Sequence, residues 1–115
     1  MNKGGVKAGA LAEQAAADYL VRQGLVLLTR NFRCRGGEID LIMREGPTLV
    51  FVEVRARARA DFGGAAESIT RSKQTRIILA AGHYLAQFKV DAPCRFDAVL
   101  LQGGELHWLR AAFEA

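Results

Sequence analysis

The sequence predicts an α/β protein in which two helices pack on a mixed sheet, in the order α-β-β-β-α-β-β. Two segments repeat their apolar residues every three or four positions, the period of a helix with one buried face. Several shorter runs alternate apolar and polar residues, the period of a strand. Gly- and Pro-containing turns separate these runs.

The first helix is expected over residues 8–23, with Leu11, Ala12, Ala15, Ala16, Tyr19 and Leu20 on one face and Gly24 as its stop. Leu25–Phe32 reads as an apolar strand, and Arg33-Cys34-Arg35-Gly36-Gly37 as a basic turn. From Glu38 the period is two: Ile39, Leu41 and Met43 on one face, Glu38, Asp40, Ile42 and Arg44 on the other. After Glu45-Gly46-Pro47 a further strand puts Val50, Val52 and Val54 opposite Leu49, Phe51, Glu53 and Arg55. Residues 56–70 read as a basic, glycine-containing loop. Thr70 is placed to cap a second helix over 71–88, with Ile77, Ile78, Ala81, Tyr84, Leu85 and Phe88 as its apolar stripe. Arg95–Leu101 and Leu106–Leu109 read as two strands joined through Gln102-Gly103-Gly104.

The 115 residues suit one domain, 1–115, built around one core. Half are apolar and 24% are charged, which argues against disorder. The 16 Lys and Arg outnumber the 12 Asp and Glu, an excess that weakly favours a polyanionic partner. Cys34 and Cys94 are far apart and form no CxxC pair, so neither a disulfide framework nor a zinc site is expected. Reduced thiols suit the cytoplasm. No apolar run approaches the roughly 20 residues needed to span a bilayer, and Glu13, Gln14 and Asp18 interrupt the only long apolar stretch near the N-terminus. A soluble protein without membrane partners is expected.

The sharpest chemical signal comes from folding the hairpin about Gly46-Pro47. If Glu45 faces Thr48, Ile42 falls opposite Phe51, Asp40 opposite Glu53 and Glu38 opposite Arg55. Cross-strand β-carbons lie about 4.5–5.5 Å apart. Two ionised carboxylates at that distance repel by roughly 3–4 kcal/mol at an effective dielectric near 20. A sheet that only had to fold would avoid the pair. A divalent cation such as Mg²⁺ or Mn²⁺ would offset the repulsion, because Mg²⁺ binds through one or two carboxylates while keeping waters. The competing reading is a slipped register with solvated charges on a half-exposed face. Arg55 shares the face of Glu53 and is a candidate phosphate clamp. Gln74 and Glu13 are further candidates from the two helices, although a capping amide and a surface glutamate are the plainer readings. His83 and His107 have no ligand-spaced neighbours and receive no chemistry. The alternation of Arg55, Arg57 and Arg59 with alanine suits phosphate contact or a solvated strand end.

Gly36-Gly37-Glu38-Ile39-Asp40-Leu41-Ile42, Val50-Phe51-Val52-Glu53-Val54-Arg55 and Ser72-Lys73-Gln74 resemble the bacterial YraN family of proposed endonucleases. Gly9 to Tyr19 with its Ala12-Glu13, Asn31-Phe32-Arg33 and Arg95-Phe96-Asp97 extend the likeness over nearly the whole chain. That family is similar in turn to archaeal Holliday-junction resolvases and to the restriction-endonuclease-like fold. The resemblance implies a metal-dependent DNA endonuclease of the Asp…Glu-x-Lys kind, with branched DNA as one substrate. Asp40 and Glu53 match its acidic positions, Glu13 the acid of the first helix, and Gln74 a polar position on the second. Arg55 stands where a lysine often stands; an arginine stabilises charge but does not readily trade protons. Arg33, Arg35, Arg57, Arg59 and Lys73 are the candidate nucleic-acid contacts. A two-fold symmetric junction would make a homodimer the acting form. The alternative is a catalytically weak or inactive nucleic-acid-binding module of the same fold.

Overall fold

A computed structural model of the protein describes residues 4–57 and 69–115, apart from the side chains of 4–8 and 57. Its elements run α1 (Gly4–Arg22), β1 (Val26–Cys34), β2 (Gly37–Glu45), β3 (Thr48–Arg57), α2 (Arg71–Phe88), β4 (Cys94–Gln102) and β5 (Glu105–Phe113). The expected order holds.

The five strands form one sheet in chain order. β1–β2, β2–β3 and β4–β5 are antiparallel, whereas β3 and β4 are parallel and α2 lies between them in the chain. A parallel pair cannot be closed by a tight turn, so a crossover element is required there.

The helices take opposite faces of the sheet. Ala16, Ala17 and Leu20 of α1 pack with Leu41, Met43, Val50, Val52 and Val99. Ile77, Ala80, Ala81 and Tyr84 of α2 pack with Ile39, Ile42, Leu49, Phe51 and Phe96. The alternation in β3 delivers Val50 and Val52 to one helix and Leu49 and Phe51 to the other, as its sequence predicts.

Local departures have identifiable causes. Leu11 is exposed and Ala17 buried, so the inward face of α1 is rotated from the expected stripe. The first strand runs on to Cys34, leaving only Arg35-Gly36 as the turn, with Cys34 opposite Gly37. At Gly36 φ is +89°, which a glycine adopts without steric cost. The second helix matches its expected bounds: the Thr70 side chain accepts the Lys73 N–H at 3.1 Å. Phe88, expected in its stripe, is half exposed and lies against Tyr84.

Ile39 is the informative departure. Strict alternation puts it with Leu41 and Met43, yet it packs with Ile42 on the α2 side. The alternation of faces along β2 thus fails between Ile39 and Leu41, the neighbours of Asp40.

Candidate functional site

The register on β2–β3 pairs Glu45 with Thr48, Ile42 with Phe51 and Leu41 with Val52. There the ladder ends, although β2 starts four residues earlier and β3 continues to Arg57. Asp40 occupies the point of divergence. Its Oδ2 accepts the Val54 backbone N–H at 2.8 Å, replacing the carbonyl that a continued ladder would have supplied. The expected facing of Glu38 and Arg55 does not form: Glu38 pairs across β1 with Arg33, Nε to Oε1 3.4 Å.

The splayed strand ends gather acids from three elements. The Asp40 carboxyl is close enough to those of Glu53 of β3 and Glu13 of α1 for each to disfavour its ionisation. Burial first, then the charge of Glu53, push Asp40 up from its ordinary 3.8 to about 7; the Val54 N–H and the charge of Lys73 oppose the rise. Glu13 is raised by burial and by Asp40, while a hydrogen bond from the Asn31 side chain pulls it down. Asn31 itself adopts φ +51° on β1, a conformation asparagine tolerates better than most residues.

Cations approach from the α2 side. Glu53, only 4% exposed, is met at Oε2 by Lys73 Nζ at 3.2 Å and by Arg55 Nη1 at 3.8 Å. Gln74 is close by in the chain but its amide is engaged, Nε2 donating to the Ile69 carbonyl at 3.0 Å. Asp40, Glu53, Glu13 and Arg55 are thus brought together, and Lys73, expected among nucleic-acid contacts, joins them at Glu53. Arg33 and Arg35 are exposed at the β1–β2 end. The Arg57 side chain and all of Arg59 lie outside the described residues.

Asp97 is the control within the same molecule. It is wholly buried, but four donors satisfy it: Arg95 Nε and Nη2 at 2.8 and 3.0 Å, Trp108 Nε1 at 2.9 Å and the Ala111 N–H at 2.9 Å. A buried carboxylate that serves only the fold is neutralised in this way. Asp40 instead faces two further acids.

The donor set is all oxygen and partly anionic, which suits a hard divalent ion such as Mg²⁺ or Mn²⁺. Among the described residues no three His, Cys, Asp or Glu side chains converge tightly enough to hold one ion by themselves. The residues therefore fit an ion that takes two ligands from the Asp40–Glu53 pair and the rest from water, the usual habit of Mg²⁺. Among the described residues no helix is long and apolar enough to cross a membrane.

Sequence reasoning reached the acid pair through period two and the hairpin turn. It missed Asn31 and the Lys73–Glu53 pair, because neither the β1 backbone twist nor the approach of α2 to the strand ends leaves a local pattern. The asparagine within Asn31-Phe32-Arg33 was the available signal.

Residues 12–101 match the model of a family described as Uncharacterised protein family UPF0102. The UPF0102 protein NE0719 of Nitrosomonas europaea is 59% identical over 109 residues, covering 92% of each chain. A UPF0102 protein of Cupriavidus metallidurans is 61% identical over 107 residues, 92% of this chain and 80% of its own. One from Dechloromonas aromatica is 59% identical over 107 residues, 93% and 88% of the respective chains. With the matched span holding both acids, Arg55 and the whole of α2, the chain belongs to UPF0102, the YraN family whose motifs its sequence resembles.

Proposed function

We propose that this protein is a divalent-metal-dependent endonuclease that hydrolyses DNA phosphodiester bonds, with branched DNA among its substrates. One observation carries the reading: Asp40 and Glu53 are buried against each other at the β2–β3 split, with Asp40 raised to about 7 and Glu13 adding a third acid. Repelling acids that also lose hydration destabilise a fold, and perturbed groups of this kind cluster where chemistry occurs.

Asp40 and Glu53 would hold Mg²⁺ or Mn²⁺, which when bound polarises a phosphoryl oxygen and acidifies a water. Glu13, next to the acid pair, would accept a proton from an attacking water. Arg55 and Lys73 supply positive charge for the phosphoryl oxygens. The Gln74 amide, held on the Ile69 carbonyl, secures the entry of the chain into α2.

The test is cleavage of linear, flapped and four-way DNA with Mg²⁺ or Mn²⁺ by wild type, Asp40→Asn and Glu53→Gln. Cleavage by wild type alone, with circular dichroism unchanged among the three, supports the reading. Equal cleavage by all three would sink it.

A second reading, a nucleic-acid-binding module without turnover, is favoured by the cations on Glu53. Lys73 and Arg55 both occupy the Oε2 side that an ion would use. This reading expects DNA affinity that is steep in salt and indifferent to metal.

A further inference from the structure

Beside the acid pair, a cleft of about 380 Å³ opens between the β1–β2 turn and the first turns of α2. That is within the roughly 300–1,000 Å³ of ordinary ligand pockets. Arg33, Cys34, Gly37, Glu38, Lys73 and Arg76 line it. We infer that this cleft binds a backbone phosphate of a nucleic-acid strand, the one flanking the phosphate at Asp40 and Glu53. The inference deepens the nuclease reading and rests on its choice of nucleic acid as partner.

Three cations line the cleft against one carboxylate. The carboxylate, Glu38, is already met by Arg33 at 3.4 Å, with both side chains more than half exposed. An exposed pair of this kind contributes little and is readily screened, so the Arg33 guanidinium remains open to a stronger phosphate partner. Among the described residues Arg76 makes a neutral hydrogen bond, Nη1 to the Ser72 hydroxyl at 3.1 Å on the helix surface. Among those residues the cleft therefore carries more cationic than anionic charge.

Two residues tie it to the acid pair. Lys73 lines the cleft and also reaches Glu53 at 3.2 Å. Glu38 lines it and its charge is felt at Glu13. A strand lying with one phosphate at the acids thus meets Lys73 next and Arg33 and Arg76 beyond.

The shape of the cleft depends on Gly37. A Cβ there would come within 2.2 Å of the Arg76 carbonyl oxygen and 3.3 Å of the Ala80 Cβ. The missing side chain lets the second turn of α2 sit directly on the backbone of β2, with Arg76 over the β1–β2 end. The double glycine thus divides its work: Gly36 makes the turn and Gly37 admits the helix.

The test uses the full chain, a fluorescent DNA duplex and EDTA, so that binding is read without cleavage. Arg76→Glu should weaken binding at 0.1 M salt at least roughly five- to tenfold and flatten the log–log salt dependence by about one. Arg33→Glu should act in the same direction, and Glu38→Gln should tighten binding. In a Cys94→Ser background, DNA should slow iodoacetamide labelling of Cys34 several-fold, whereas millimolar inorganic phosphate should not. Protection by phosphate alone would reassign the cleft to small anions. Binding unchanged in both arginine variants, Cys34 labelling indifferent to DNA, or no DNA binding at low salt would each overturn the inference. The two proposals fail separately: metal-free binding through the cleft without cleavage leaves the cleft standing and removes the nuclease. Cleavage by wild type that Arg76→Glu and Arg33→Glu leave untouched does the reverse.

Discussion

Asp40 Oδ2 accepts the backbone N–H of Val54 at 2.8 Å, one residue beyond the last paired position of β2, Leu41, and two beyond that of β3, Val52. This bond makes a side chain do what a strand normally does. It holds the two strand ends apart while fixing the carboxyl between the faces served by α1 and α2, so that Glu13 from one face and Glu53 from the other meet it. The same bond fixes Asp40 where its charge is least welcome.

The first prediction is that acid–base stability runs against the usual carboxylate trend between pH 4 and 7. Asp40 is raised from 3.8 to about 7 in the folded state, so across that window the folded protein keeps a proton that the unfolded chain gives up. Its contribution is full below 3.8 and is lost as the pH rises through 7, up to roughly 4 kcal/mol, shared with its coupled partner. Glu13, also raised, adds in the same direction. Glu45, lowered by Arg110 and Arg95, acts oppositely and is lost only as the pH falls below its ordinary 4.5. Urea midpoints without metal should therefore be higher at pH 5.5 than at 8.5. Asp40→Asn keeps an acceptor for Val54 and drops the charge, so it should be more stable than wild type at pH 8.5 by about 1–2 kcal/mol. Identical wild-type midpoints at the two pH values would contradict the assignment.

A second prediction follows for the metal. Since binding requires the ionised pair, Mn²⁺ affinity should fall about tenfold for each pH unit below 7. Calorimetric titration in two buffers of different ionisation enthalpy counts the proton released, expected to be near one at pH 6. Asp40→Asn should show neither the heat nor the metal-dependent rise in melting temperature. A titration independent of pH would mean that the ion binds elsewhere.

How much of this was legible in the sequence depends on the range of the physics involved. Val50, Val52, Leu49 and Phe51 declare their faces because period two is a local rule, and the Thr70 cap is equally local. The hairpin through Glu45 and Thr48 fixed the register as far as Leu41 opposite Val52, one residue short of the expected Asp40–Glu53 pair, which meets through side chains beyond the ladder. The split of the strands is a different matter. Where the Asp40 side chain takes the Val54 N–H, Ile39 packs on the other side and Glu38 pairs with Arg33, and periodicity has no means of expressing that. Lys73 reaches Glu53 only because α2 crosses over the strand ends, which is a tertiary fact. Asp97 was visible as the end of the Arg95-Phe96-Asp97 motif but not as a buried anchor, its four donors coming from residues up to 14 positions away.

The third prediction concerns Gly37. Alanine there would place its Cβ 2.2 Å from the Arg76 carbonyl, a backbone atom that moves only if α2 moves. Overpacking of this kind costs about 1–3 kcal/mol. The loss should appear as a lower urea midpoint, and Lys73 would be drawn away from Glu53. Alanine at Gly46, which has open space but φ +58°, meets only the backbone penalty and should leave metal and DNA binding as in wild type. If Gly37→Ala matched wild type in stability, the close approach of α2 to β2 would be wrong.

The last prediction concerns Asp97, the buried acid whose charge the fold satisfies. Asp97 stands where β4 and β5 lose register, between the pairs Phe96–Phe113 and Ala98–Leu109. Its carboxylate takes the N–H of Ala111, which adopts φ +53°, and the ion pair with Arg95 neutralises it in the interior. Arg95 reaches on to Glu45 at 2.7 Å, where Arg110 also binds at 3.0 Å, so one carboxylate anchors β2, β4 and β5 together. Removing one member of a buried pair strands the other, at about 3–5 kcal/mol. Asp97→Ala should lower the unfolding free energy by that amount at pH 7, whereas Ala111→Gly should raise it by about 1 kcal/mol through relief of the left-handed backbone. In the double variant that gain should shrink, since without the Asp97 anchor the bulge no longer has to hold the left-handed conformation. Measured in a double-mutant cycle, an unaltered gain would mean that the bulge is set by the strands themselves and that Asp97 only fills it.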